Sequence, residues 1–240
     1  MGVGNFFRAG AAVANLTAKM RKALVVFALL AASAAHAEDW SIGTGAGPFI
    51  FGHFVERTVT IHNEGGSATI KSVLSAETRV GLTANVEYDF NKRLAVRLEA
   101  SWIESPLRIK SSSGDQGTSI DAGHMNATTF VVPFVFRINP NGAFRFDIIG
   151  GPAYALYNVK RDTTPATSLP FFEGTRGQWG GAGAVGVEWW WSKRFAAEWQ
   201  AEYIVTSSPF REDDFGSSAQ GIHIPKPRNG HTTIGIRYRF

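Results

Sequence analysis

Twelve charged side chains recur at alternate positions within otherwise apolar stretches of this sequence: Glu87, Asp89, Arg97, Glu99, Arg137, Arg145, Asp147, Glu188, Glu198, Glu202, Arg237 and Arg239. Seven are carboxylates and five are arginines, with no lysine among them. Gathered on one side of extended chain and away from water, such a set would do the chemistry of ion pairing. A planar guanidinium binds carboxylates through parallel N–H donors and stays charged when desolvated. Because a buried charge without a partner is costly, the pattern implies a shared network.

Other chemistries have less support. Nucleophilic catalysis needs a nucleophile beside a base that a third group orients. The candidate bases are His124, in His124-Met-Asn126, and His231, in Gly230-His231-Thr232, and neither has a serine two residues on. His231, followed by Thr232 and Thr233, reads as a loop-end histidine at an interface. His53, His62, His124 and His223 are scattered over different connections, and Glu212-Asp213-Asp214 lacks the ligand spacing of a calcium loop. No metal and no cofactor are expected. Gly43, Gly45 and Gly47 alternate along one segment with no helix after them, so they make no phosphate cradle. They leave room for large side chains opposite.

Eight segments of alternating character position these residues. Trp40 to Phe51 sets Trp40, Ile42, Thr44 and Ala46 against Ser41 and the glycine stripe. Arg79 to Phe90 sets Leu82, Ala84, Val86, Tyr88 and Phe90 against Thr83, Asn85, Glu87 and Asp89. Arg93 to Trp102 opposes Leu94, Val96 and Leu98 to Arg97, Glu99 and Ser101, and Thr128 to Ile138 follows the same rule apart from Pro133, which marks an edge or a bulge. Ala143 to Asn158, Gly177 to Trp190, Phe195 to Thr206 and Gly230 to Phe240 complete the set. In the seventh, Glu198, Gln200 and Glu202 share a face; in the last, His231, Thr233, Gly235, Arg237 and Arg239 do. The connections alternate between tight turns (Asn91-Lys92, Asn139 to Gly142, Ser192 to Arg194) and long polar ones at roughly 53–77, 105–126, 159–176 and 207–229. Sorting of loops by length, with an even number of roughly 10-residue alternating segments, is the signature of a closed barrel in a bacterial outer membrane. Closure is obligatory there, since hydrocarbon offers no hydrogen-bond partner to an unpaired amide.

Residues 20–37 read as a positive start (Met20-Arg-Lys), an apolar run of about a dozen residues and the small-x-small site Ala35-His36-Ala37, a secretory signal peptide. Residues 1–37 are therefore expected to be leader, with Met20 the true start after an upstream extension, and 38–240 the barrel. The formal charge of +4 resides in that leader, which holds Arg8, Lys19, Arg21, Lys22 and no acid. The remainder is neutral, which argues against nucleic acid as a partner. With no cysteine the chain holds no disulfide and no thiolate metal site.

The ending Ile234-Gly-Ile-Arg-Tyr-Arg-Phe240 resembles the C-terminal signal of bacterial outer-membrane barrels, with Ile234, Ile236, Tyr238 and Phe240 on one face. Together with the leader, the eight segments and the loop asymmetry, it makes residues 38–240 similar to the outer-membrane beta-barrel domain superfamily of the OmpA/OmpX and opacity-protein kind. That resemblance implies an eight-stranded antiparallel transmembrane β-barrel in the bacterial outer membrane. It also implies recognition by the barrel-assembly machinery and contact with outer-membrane lipid and lipopolysaccharide. No peptidoglycan-binding domain is seen after the barrel, unlike full-length OmpA-type proteins. The function expected is non-enzymatic: a plugged barrel with a structural or surface-interaction role and a surface ligand at its loops. Two other readings stay open. Small-barrel lipid A deacylases carry His-x-Ser-Asn and a Glu on adjacent strands, and neither His124 nor His231 matches. A narrow transporter of small apolar solutes would need a lateral opening beside Pro133 or Pro152. Omptin-type proteases need ten strands.

Overall fold

The computed structural model describes residues 39–63, 66–113, 116–161, 172–219 and 221–240. The leader expected at 1–37, with its Met20 start, lies outside the described residues. Among the described residues twelve strands follow in order: β1 (Trp40–Ile50), β2 (His53–Asn63), β3 (Gly66–Ala76), β4 (Arg79–Asp89), β5 (Leu94–Ser113), β6 (Gln116–Val131), β7 (Phe134–Arg137), β8 (Phe144–Arg161), β9 (Gly174–Trp190), β10 (Phe195–Thr206), β11 (Ile222–His223) and β12 (Arg228–Arg239). A 3-10 helix, Glu212–Ala219, precedes β11.

All pairings are antiparallel, and they close a ring. β1 pairs β4, β4 pairs β5, β5 pairs β6 and β7, both of these pair β8, and β8, β9, β10 and β12 follow in turn. β12 returns to β1, where Ser41 faces Arg239. β6 and β7 are one stave interrupted at Val132-Pro133, so the ring has eight staves. The interruption is the irregularity Pro133 announced, and the seam stays hydrogen-bonded across it. The Val132 amide donates to the Pro152 carbonyl at 3.1 Å, and the Arg97 amide to the Pro133 carbonyl at 3.0 Å. No lateral opening is formed by these groups.

Alternation in the sequence becomes inside and outside in the fold. Along β10, Ala196, Glu198, Gln200, Glu202, Ile204 and Thr206 are buried while their neighbours face outward. The outer surface is a belt of Leu98, Phe130, Phe134, Phe136, Phe146, Ile148, Val185, Trp199, Ile234 and Ile236, exposed to the extent expected of groups facing lipid. At the turn end an aromatic girdle runs round the wall. Trp40 contacts Tyr88 at 5.1 Å, Phe195 contacts Tyr238 at 5.0 Å, and Tyr238 contacts Phe240 at 5.2 Å between centroids. Phe144 and Trp189 stack beside them. At the opposite end Tyr154 meets Trp179 at 4.7 Å. Rings placed so suit the two membrane interfaces.

The first two long polar connections are strand and not irregular loop. The first is a hairpin, β2–β3, and the second is simply β5 and β6 continuing. β3 pairs the far part of β5, Ile70–Ala76 against Leu107–Ser113, and β11 adds to β2. Beyond the membrane no lipid imposes an apolar period on the outer face, so the Ser/Thr-rich backbone remains paired while the inner face still buries Phe54, Leu74 and Ile109. The last connection also carries the 3-10 helix.

The lumen is not charged throughout, as a uniform plug would be. Phe49, Phe54, Leu74, Ile103, Leu107, Ile109, Met125, Phe210 and Phe215 form a buried apolar cluster in the loop-side half. Ile103, Leu107 and Ile109 continue the inward face that begins with Arg97 and Glu99. The glycine stripe serves close neighbours and not large side chains opposite: a Cβ on Gly43 would sit 2.7 Å from Asn85 Oδ1 of the adjacent strand, and one on Gly47 would collide with the Thr232 backbone carbonyl.

Candidate functional site

Nine of the twelve expected interior charges are buried, namely Glu87, Arg97, Glu99, Arg137, Asp147, Glu188, Glu198, Glu202 and Arg237. Asp89, Arg145 and Arg239 are half-buried at the turn end. Strand register places Glu87 opposite Arg97, Arg137 opposite Asp147 and Arg145 opposite Glu188.

Arg97 is the hub. Its Nε donates to Glu87 Oε2 at 2.8 Å, and its Nη1 donates to Glu198 Oε1 at 2.8 Å and to Gln200 Oε1 at 2.6 Å. β5 and β10 are opposite staves of the eight, so this side chain spans the diameter. Arg237 holds Glu198 with both carboxylate oxygens 2.9 Å from Nη2, donates to Ser41 Oγ at 3.0 Å, and sets Nε 2.9 Å from Glu188 Oε1. It thereby separates Glu188 from Glu198, which face each other across β9 and β10. Arg137 bonds Asp89 at 2.7 Å and also Glu87, while Arg239 takes the other oxygen of Asp89 at 2.8 Å. The Trp190 indole donates to Glu188 at 2.8 Å, and the guanidiniums of Arg145 and Arg239 stand 4.7 and 4.6 Å over its ring. Arg145 is thus placed by a ring, as it has no carboxylate within 4.0 Å among the described residues.

A polar layer separates this network from the apolar cluster. Gln200 Nε2 donates to Glu99 Oε2 at 3.1 Å and to Glu202 Oε2 at 2.9 Å. Nearby, Asn229 donates to the Tyr157 hydroxyl at 3.2 Å, which is 2.9 Å from Thr206 Oγ1. His231 belongs to this layer as well. It is buried in the lumen opposite Glu202, and not at a loop-end interface as its neighbours suggested. Position along the strand signals this, because His231 shares a face with Thr233, Gly235, Arg237 and Arg239. Glu99, Glu202 and His231 are brought together with donor atoms within 4.8 Å of one another, a group the linear spacing of histidines did not suggest. His53 and His62 share β2, while His124 lies on β6 and His223 on β11.

Outside the membrane, some charges of the connections are paired. Lys71 lies 3.2 Å from Glu56, and Arg108 lies 2.7 Å from Glu77 and 3.1 Å from Asp121. The His53 imidazole and Lys71 hold the Glu56 carboxyl below its usual range. Arg176 binds Asp214 through both carboxylate oxygens at 2.5 and 2.7 Å and anchors the 3-10 helix to β9. Burial pushes the Asp214 carboxyl up, but the Arg176 bonds and the Arg211 amide outweigh it, and the group is held low.

The family of the outer membrane protein beta-barrel domain matches residues 23–240. Among solved structures, OprG of Pseudomonas aeruginosa is 17% identical with a TM-score of 0.56, covering 84% of this chain and 95% of that one. Neisserial surface protein A is 11% identical with a TM-score of 0.47 (84% and 97%), and the N-terminal barrel of Pseudomonas aeruginosa OprF is 10% identical with a TM-score of 0.43 (84% and 98%). No curated protein matches the sequence.

Proposed function

Since this chain belongs to the family of outer membrane protein beta-barrel domains, we propose that it is a non-enzymatic barrel of the bacterial outer membrane that closes its own lumen and acts through its surface end. The observation that carries this reading is Arg97, whose guanidinium joins Glu87 and Glu198 across the full width of the ring. With Arg137 and Arg237 it forms a bar of paired charges, and the apolar cluster closes the half above. A lumen obstructed at two levels leaves no wide aqueous path. The hydrogen bonds maintained at Pro133 and Pro152 argue likewise against the transporter reading.

Function then falls to the part that stands outside the membrane, the sheet of β2, β3 and the far halves of β5 and β6. Binding activity concentrates on such segments over a rigid scaffold. Exposed Lys110, Lys160, Arg211, Lys226 and Arg228 would meet lipopolysaccharide phosphates, and the sheet itself would meet a surface ligand. The test compares cells carrying the intact protein with cells carrying a form whose β2–β3 hairpin is replaced by a short turn. Reduced attachment to host or abiotic surfaces, with lipid A unchanged by mass spectrometry, supports the reading. Altered lipid A would replace it with the hydrolase reading, and steady large-conductance channels in planar bilayers would contradict the closed lumen.

A further inference from the structure

Negative charge exceeds positive charge in the lumen, and the carboxylates without a close guanidinium are Asp147, whose nearest is Arg137 Nε at 3.8 Å, and the neighbouring pair Glu99 and Glu202. Glu87, Asp89, Glu188 and Glu198 each have a guanidinium nitrogen within 2.9 Å. The nearest to Glu99 is Arg97 Nη1 at 3.8 Å, and Glu202 has no arginine in ion-pair reach among the described residues. These two carboxylates face the same imidazole. His231 Nε2 lies 3.4 Å from Glu202 Oε2 and 3.8 Å from Glu99 Oε1, and all three side chains are no more than 3% exposed. Among the described residues neither ring nitrogen of His231 has a hydrogen-bond partner, and Glu202 Oε1 has none either. A buried imidazole and a buried carboxylate oxygen left without partners would cost about 1–3 kcal/mol each, more for the charged group.

We propose that Glu99, Glu202 and His231 bind one divalent transition-metal cation of the zinc type inside the barrel. One imidazole nitrogen with two carboxylate oxygens is a donor set suited to zinc, whereas magnesium and calcium favour oxygen alone. Bonds of about 2.1 Å in a tetrahedral site place donors roughly 3.4 Å apart, close to the two distances found. A double positive charge offsets Glu202, which has no guanidinium in reach among the described residues, and Glu99, whose nearest is 3.8 Å away. Supporting contacts are present too: Gln200 donates to both carboxylates, and the Phe49 ring stacks on the imidazole at 4.3 Å. Contacts of that kind orient ligands and tune affinity. Glu99 and Gln200 also line a small polar cavity with Thr44, Thr83, Asn85 and Thr233, where a coordinated water would find partners.

The ligands come from β5, β10 and β12, so the ion ties opposite walls of the barrel together. Phe49 and the apolar cluster lie on one side and the Arg97 network on the other, so the ion is captured as the ring closes and exchanges slowly afterwards. The test uses untagged mature protein, refolded in detergent with zinc chloride, then held with EDTA while folded, and analysed by elemental mass spectrometry. About one zinc per chain is expected to survive EDTA and to be released on unfolding. Glu202→Gln, which keeps the shape and removes a charge, and His231→Ala are each expected to lower retained zinc by roughly tenfold or more. Heat-modifiable gel mobility reports folding; should His231→Ala not fold, Glu202→Gln and the wild-type stoichiometry decide. Folded wild-type protein that retains no zinc against EDTA, or variants that retain as much as wild type, would overturn the proposal in favour of a proton shared between the two carboxylates.

Discussion

Phe49 lies stacked on His231, with ring centroids 4.3 Å apart and planes 14° from parallel. The pair marks the level at which the lumen changes from charged to apolar. Phe49→Ala is expected to leave a cavity above the imidazole and to destabilise the barrel by about 3 kcal/mol. Denaturant unfolding followed by tryptophan fluorescence measures it. A shift of the midpoint too small to resolve would show that the two halves of the plug are independent.

Arg97→Ala removes one partner that Glu87 and Glu198 share, leaving Glu87 with Arg137 and Arg237 and Glu198 with Arg237. Removing one member of a buried pair costs about 3–5 kcal/mol where the remaining charge is left alone, so with Arg137 and Arg237 still in place a loss at or below the lower end is expected. The same unfolding measurement should show that loss, and adding Glu198→Gln should recover part of it. Single-channel recordings should find ion flux through Arg97→Ala greater than through wild type, since the bar across the ring has been cut.

The anchor between Arg176 and Asp214 should depend on pH. The Asp214 carboxyl is held below its usual range when the 3-10 helix is docked. Its contribution is therefore complete above the ordinary carboxylate range and is lost as pH falls through the lowered value. Limited proteolysis within 207–229 should accelerate in acid, and Asp214→Asn should be cut quickly at neutral pH with little further change in acid. Equal cutting of both proteins at every pH would refute the docking role.

Phe240 and Tyr238 end the girdle at the seam where β12 meets β1. If the assembly machinery reads this ending, Phe240→Ala should reduce folded protein in outer-membrane fractions. Refolding of the purified variant into detergent should change little, because one interfacial ring among many is lost. Comparing heat-modifiable species from the two preparations separates assembly from intrinsic stability.

The barrel wall was legible because lipid enforces a strict period of two. Phe195 to Thr206 is β10 to the residue, and each of the twelve alternating charges from Glu87 to Arg239 faces the lumen or its turn-side mouth. The metal-type cluster was half legible: Glu99, Glu202 and His231 each sit on an inward face, but their meeting depends on which staves close the ring. Phe54, Phe210 and Phe215 were not legible as core, since they lie in polar connections with no membrane to impose a period. The same cause hid β2 and β3.

β5 runs for 20 residues whereas β10 has 12. A membrane crossing takes about 9–11 residues of tilted strand. Much of β5, laced to β6 on one side and β3 on the other, therefore stands clear of the bilayer as a stiff mast. Anything that approaches the cell from outside touches this upright blade of polar backbone before it reaches lipid, at a height and angle set by the membrane-embedded staves below.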